Sequence, residues 1–119
     1  MMIQKVAFTM YPVRDMKRAR AFYEGTLGLT VSTPREVWTE YDLPGGGCLA
    51  LFATPDMTPS ASAAGIALEV SDLDGLTSKL EQAGVTFKAK SIHSPVCQMT
   101  VVLDSEGNQI ILHELNPKP

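Results

Sequence analysis

Two histidines, two cysteines and 13 carboxylates hold most of the chemistry that this 119-residue chain can offer. His113 closes an apolar run, Gln109-Ile110-Ile111-Leu112-His113, where an imidazole can give or take a proton near neutral pH. Glu69 closes a second such run, Gly65-Ile66-Ala67-Leu68-Glu69. Alternation places the two side chains at equivalent ends of their strands, so the carboxylate could orient the imidazole or meet a cationic ligand. The plainer reading makes both of them solvated strand-end groups. His93 and Cys97 flank Ser94-Pro95-Val96, a spacing that holds zinc only with two further ligands, for which Cys48 and His113 are the remaining candidates. Beside an imidazolium, Cys97 would be a strong nucleophile, whereas in apolar surroundings it would be an inert buried thiol. Gly45-Gly46-Gly47 precedes neither a helix nor a Lys-Ser or Lys-Thr pair, and reads as a hairpin turn, not a phosphate cradle.

The elements that must position these groups occur twice. Val13-Arg14-Asp15-Met16 returns as Val70-Ser71-Asp72-Leu73, each time after an extended apolar stretch and before an amphipathic helix. The helices exit through Leu27-Gly28-Leu29-Thr30-Val31 and Ala83-Gly84-Val85-Thr86-Phe87. Asp42-Leu43-Pro44-Gly45 and Asp104-Ser105-Glu106-Gly107 then precede the closing strands. The pattern predicts an α+β fold of tandem βαβββ modules within one domain spanning residues 1–119. Module one covers residues 4–53, a Pro-rich linker 54–63, and module two 64–115. Asp15 is the expected cap of the first helix, and Asp72 or Ser71 that of the second. Ala19, Phe22, Tyr23 and Leu27, then Leu73, Leu76, Leu80 and Ala83, form the buried stripes. Further strands are expected at 6–11, 29–33, 36–42 and 47–53, and at 85–90, 97–103 and 108–114. Only the tail Asn116-Pro117-Lys118-Pro119 reads as disordered.

A net charge of −3 and a pI near 5.3 give no positive field for nucleic acid. Two cysteines are too few for a secreted disulfide framework, and neither a signal segment nor a membrane span is legible, so a reduced, cytoplasmic protein is expected.

Tyr11-Pro12-Val13-Arg14-Asp15-Met16, Ala21-Phe22-Tyr23-Glu24, Leu27-Gly28-Leu29 and Asp104-Ser105-Glu106-Gly107-Asn108, taken in order, resemble the vicinal oxygen chelate superfamily of glyoxalase I, extradiol dioxygenases and bleomycin resistance proteins. The resemblance implies two curved mixed sheets forming a cup, within one chain or across a homodimer. Metal-using members place His, Glu or Gln on the first and last strand of each module, positions that carry over to Phe8, Ala50, Gly65 and Ile111. None of these side chains has a donor atom, so no metal and no cofactor is expected.

Strand alternation gives the cup wall. Phe8 and Met10, with Cys48, Ala50 and Phe52, line it from module one. Gly65, Ala67 and Glu69, with Gln109, Ile111 and His113, line it from module two. Thr39 and Tyr41, and Met99 and Val101, are placed beside them, with Glu40 facing away. The reading that follows is a metal-independent protein binding a small, mostly apolar organic molecule, as the bleomycin-resistance branch does. One alternative is a lyase or isomerase using His113 as acid or base with Glu69 or Tyr41. Another is a metal-dependent glyoxalase or dioxygenase with non-standard ligands.

Overall fold

In the computed structural model the described residues are Met2, 4–62 and 65–116. The chain divides into two compact units, Met1–Pro59 and Ser60–Pro119. The expected module boundary between residues 63 and 64, and the last three residues of the tail, lie outside the described residues.

In the first unit, strand β1 (Thr9–Val13) leads into helix α1 (Met16–Arg20), which runs on into a π-helix over Ala21–Thr26. Asp15 starts the helix from an extended backbone, its carboxylate accepting the Arg18 amide at 3.1 Å. The wide turn ends where the Leu27 amide reaches back to the Phe22 carbonyl at 2.9 Å. Ala19, Phe22 and Tyr23 are buried against the sheet side that carries Tyr11, Val13, Leu49, Leu51 and Tyr41. Tyr23 sits at the centre, 5.3 Å from Phe22 and 6.1 Å from Tyr41 between ring centroids.

Strands β2 (Trp38–Asp42) and β3 (Cys48–Ala53) complete a sheet of order β1-β3-β2, with β1 parallel and β2 antiparallel to β3. The expected strand at 29–33 is reduced to a bridge between Thr33 and Glu40. Pro34 follows at once, with no amide to extend a ladder, and the Ser32 and Thr33 amides both turn to the Glu40 carbonyl, at 2.9 and 3.2 Å. The first strand also begins three residues later than expected, at Thr9, leaving residues 5–8 exposed beside it.

The second unit has the full set: β4 (Ile66–Glu69), α2 (Leu73–Gln82), β5 (Phe87–His93), β6 (Cys97–Leu103) and β7 (Gln109–Leu115), in sheet order β4-β7-β6-β5. The repeat is visible in the pairing. β4 is parallel to β7 as β1 is to β3, and an antiparallel strand follows each pair. Asp72 caps α2 through the Gly75 amide at 3.0 Å, and Gly84, at φ 77°, ends it where a side chain would be strained. Leu73 and Leu80 bury the helix against Val102, Ile110 and Leu112. The Asp104 carboxylate gathers the amides of Glu106 and Asn108, both at 2.8 Å, and so shapes the turn into β7. Ser60, from the expected linker, binds this turn through Asn108 and Gln109. Each sheet therefore has one helix-covered face and one helix-free face.

Candidate functional site

On the helix-free face of the first unit, the register aligns Met10, Ala50 and Glu40 in one row and Pro12, Phe52 and Trp38 in the next. Phe8 flanks the start of β1 and meets Trp38 edge-on at 5.1 Å, and Trp38 meets Phe52 at 5.6 Å. Ala50 is fully buried between its longer neighbours Met10 and Glu40, while Phe8 keeps 43% of its surface exposed. The Trp38 indole donates to Glu40 Oε2 at 2.6 Å, and the Cys48 thiol donates to Glu40 Oε1 at 3.5 Å. Burial, followed by that carboxylate, pushes the Cys48 thiol up, so it stays protonated. A cleft of about 450 Å³ opens here, with Lys5, Phe8, Glu40, Asp42 and Cys48 in its wall.

Phe8, Met10, Cys48, Ala50 and Phe52 thus share a face, as alternation predicts. Tyr41 and Thr39 do not join them. Both lie fully buried on the helix-covered face, where the Tyr41 hydroxyl donates to Glu24 Oε2 at 2.9 Å and Thr39 Oγ1 donates to the Arg35 carbonyl at 2.9 Å. Burial and the Glu24 carboxylate raise the Tyr41 hydroxyl well above its ordinary range, and its place on the helix-covered face keeps it away from the other side of the sheet. Glu40, expected to face away, stands on the helix-free side instead. In Trp38-Thr39-Glu40-Tyr41-Asp42 the aromatic residues sit on opposite faces, so aromaticity does not set the phase. The charged pair Glu40 and Asp42 does, because a helix-covered core excludes both. The same phase error hid Trp38, the residue that joins Phe8 to Phe52.

On the helix-free face of the second unit, Glu69, His113 and Met99 form one row and Ala67, Ile111 and Val101 the next. Gly65 and Gln109 continue the same side. A Cβ on Gly65 would meet the Gln109 carbonyl oxygen at 3.0 Å, a tight approach that a larger side chain could enter only if the Gln109 backbone gave by a few tenths of an ångström. Glu69 Oε1 lies 2.5 Å from His113 Nδ1, and Glu69 Oε2 accepts the Leu115 amide at 2.9 Å. Donating to the Glu69 carboxylate holds the His113 imidazole above its usual range, and accepting from His113 holds Glu69 below the usual carboxylate range. Cys97, across from Leu115 on the same face, has its sulfur 3.3 Å from Ser94 Oγ. His93 pairs across the sheet with Gln98.

Phe8, Ala50, Gly65 and Ile111 present a ring, a methyl group, a hydrogen and a sec-butyl group. They cannot supply the oxygen or nitrogen donors of a divalent-metal site. Among the described residues, a different group gathers three ligand atoms within 4.8 Å of one another, namely Glu40, Asp42 and Cys48. Two of its members already share a hydrogen bond, and its thiol is held protonated.

Residues 5–112 match the family profile described as the Glyoxalase/Bleomycin resistance protein/Dioxygenase superfamily. The chain belongs to this superfamily. Among solved structures it is similar to TnmS3, an antibiotic binding protein from Streptomyces sp. CB03234, at 27% identity and a TM-score of 0.79, covering 98% of this chain and 99% of that one. A superfamily member from Sphaerobacter thermophilus DSM 20745 is 28% identical with a TM-score of 0.77, covering 96% and 99%. A glyoxalase/dioxygenase from Nostoc punctiforme reaches a TM-score of 0.80 at 20% identity, covering 96% and 92%, a likeness of fold alone. No curated protein matches the chain.

Proposed function

We propose that this superfamily member binds a small, largely apolar organic molecule without a metal ion, on the helix-free faces of its sheets, and holds it without transforming it. What carries this reading is that the four positions to which the superfamily's metal ligands carry over hold Phe8, Ala50, Gly65 and Ile111, none with a donor atom in its side chain. Ligand contacts are assigned to Phe8, Met10, Cys48, Ala50 and Phe52, with Trp38 added, and to Gly65, Ala67, Met99, Gln109 and Ile111. The aromatic set Phe8, Trp38 and Phe52 offers ring edges and faces to a planar ligand. The likeness to an antibiotic binding protein supports the same direction. A net charge of −3 suits a neutral or cationic ligand.

The His113–Glu69 pair favours a second reading, in which His113 moves a proton on the bound molecule and the protein is a lyase or isomerase. His113→Ala separates the two. If the protein only binds, isothermal titration should show a loss of at most some tenfold in affinity, about one hydrogen bond. If His113 is acid or base, turnover should fall by about 10²–10⁴-fold with affinity little changed.

A further inference from the structure

We propose that a cleft of about 440 Å³ between α1, the π-helix and residues 34–36 binds a small organic monocarboxylate, held by Lys17, Arg20 and Arg35. The cleft lies wholly within the first unit and shares no residue with the ligand contacts assigned to the helix-free faces. Lys17 and Arg20, three residues apart on α1, share one side of the helix, and Arg35 lines the cleft from the segment that leads into β2.

Two polar residues of the helix-covered core fix these walls. Tyr41 is fully buried and donates to Glu24 Oε2 at 2.9 Å. Glu24 in turn accepts from Arg20 Nε at 2.7 Å and Nη2 at 3.2 Å, which sets the plane of the guanidinium and leaves its Nη1 edge unused by the pair. Thr39, equally buried, binds both backbone groups of Arg35: its Oγ1 accepts the amide at 3.4 Å and donates to the carbonyl at 2.9 Å. Polar side chains are costly in such a core unless they are bonded, and the bonds of both run to a residue that lines the cleft. The helical wall continues as a π-helix from Ala21 to Thr26, a rare widening met mostly at functional sites.

The charges select the ligand. Arg20 is matched by Glu24, whereas neither Lys17 nor Arg35 has an ion-pair partner among the described residues. Lys17, Arg20 and Arg35 against Glu24 and Glu36 leave one net positive charge in the cleft, in a chain whose total is −3. That balance suits a monoanion better than a phosphate dianion, and a planar carboxylate matches the fork of N–H groups on a guanidinium. Met16, Ala21 and Pro34 supply apolar surface beside the cations for a short hydrocarbon body.

Benzoate is the probe, titrated into the full chain at low ionic strength and followed by amide NMR. Peak shifts should saturate and cluster on residues 16–24 and 34–36. Lys17→Gln and Arg35→Gln, both at exposed positions and checked by circular dichroism, should each weaken benzoate by roughly fivefold or more, while Lys79→Gln on α2 should leave it unchanged. Benzyl alcohol, which keeps the ring without the charge, and inorganic phosphate should both bind more weakly than benzoate. Shifts that cluster elsewhere or fail to saturate, wild-type affinity in both folded variants, or benzyl alcohol or phosphate binding as tightly as benzoate would overturn the proposal.

Discussion

Tyr41 places its hydroxyl on Glu24, and Glu24 is gripped in turn by Arg20 at 2.7 and 3.2 Å. The tyrosine is fully buried, so removing the hydroxyl loses a bond to a charged acceptor that retains its arginine. Tyr41→Phe should therefore cost about 1–2 kcal/mol by chemical denaturation, without altering ligand binding on the other face. Arg20 holds Glu24 below the usual carboxylate range. Its contribution is thus present above the unfolded-state pKa and is lost as pH falls through the folded one. The stability gap between wild type and Glu24→Gln should stay level from about pH 7 to pH 5.5 and close below about pH 4. At this scale the pairing of Glu69 with His113 was legible, because both end strands of matching phase. The contact of Cys97 with Ser94 was not, since it depends on how residues 94–96 turn.

Helix α2 shows how an element can reverse a single-residue preference. Alanine normally outranks glycine in a helix by about 1 kcal/mol. At Gly75, however, a Cβ would collide with the Asp72 carboxylate that caps the helix. Asp72→Ala alone should cost about 1 kcal/mol. Gly75→Ala should give no gain in the wild type, yet should stabilise the Asp72→Ala background by about 1 kcal/mol, a coupling that thermal scans of the four proteins would read. Both caps, most strands and the cores of the helix stripes could be read from periodicity and Asp placement, but Ala83, expected in the second stripe, is exposed because α2 ends at Gln82 and the chain turns away at Gly84. The failures had local causes: Pro34 cut short the strand at 29–33, and the chain widened into a π-helix where an α-helix was the natural expectation. β5 absorbed register shifts between Phe87 and Ile92, with Ser91 at φ 55°. None of these leaves a trace in hydrophobic spacing.

For the whole molecule the internal repeat was the strongest signal, because two copies of one pattern imply two copies of one topology, and the sheet orders β1-β3-β2 and β4-β7-β6-β5 follow it. Both sheets end in edge strands, β1 and β2 in one and β4 and β5 in the other. Unpaired edges invite a second chain, so a homodimer is proposed, and light scattering across micromolar concentrations should give about twice 12.9 kDa. No helix of the described residues is long and apolar enough to cross a membrane. If binding is metal-independent, neither zinc, nickel, iron nor manganese should raise the melting temperature. An ion at 100 times its dissociation constant would add about 2.7 kcal/mol to the folded state, a shift that a thermal scan resolves.

The most direct test uses Trp38, the only tryptophan of the chain, which stands between Phe8 and Phe52 on the helix-free face. Its fluorescence should be followed while EDTA-treated protein is titrated with neutral and cationic aromatic antibiotics. The account predicts a saturable change with at least one of them, unaffected by later addition of a divalent ion and weakened several-fold or more by Phe52→Ala. Binding that appears only after a divalent ion is restored, or no response to any compound in the panel, would contradict it.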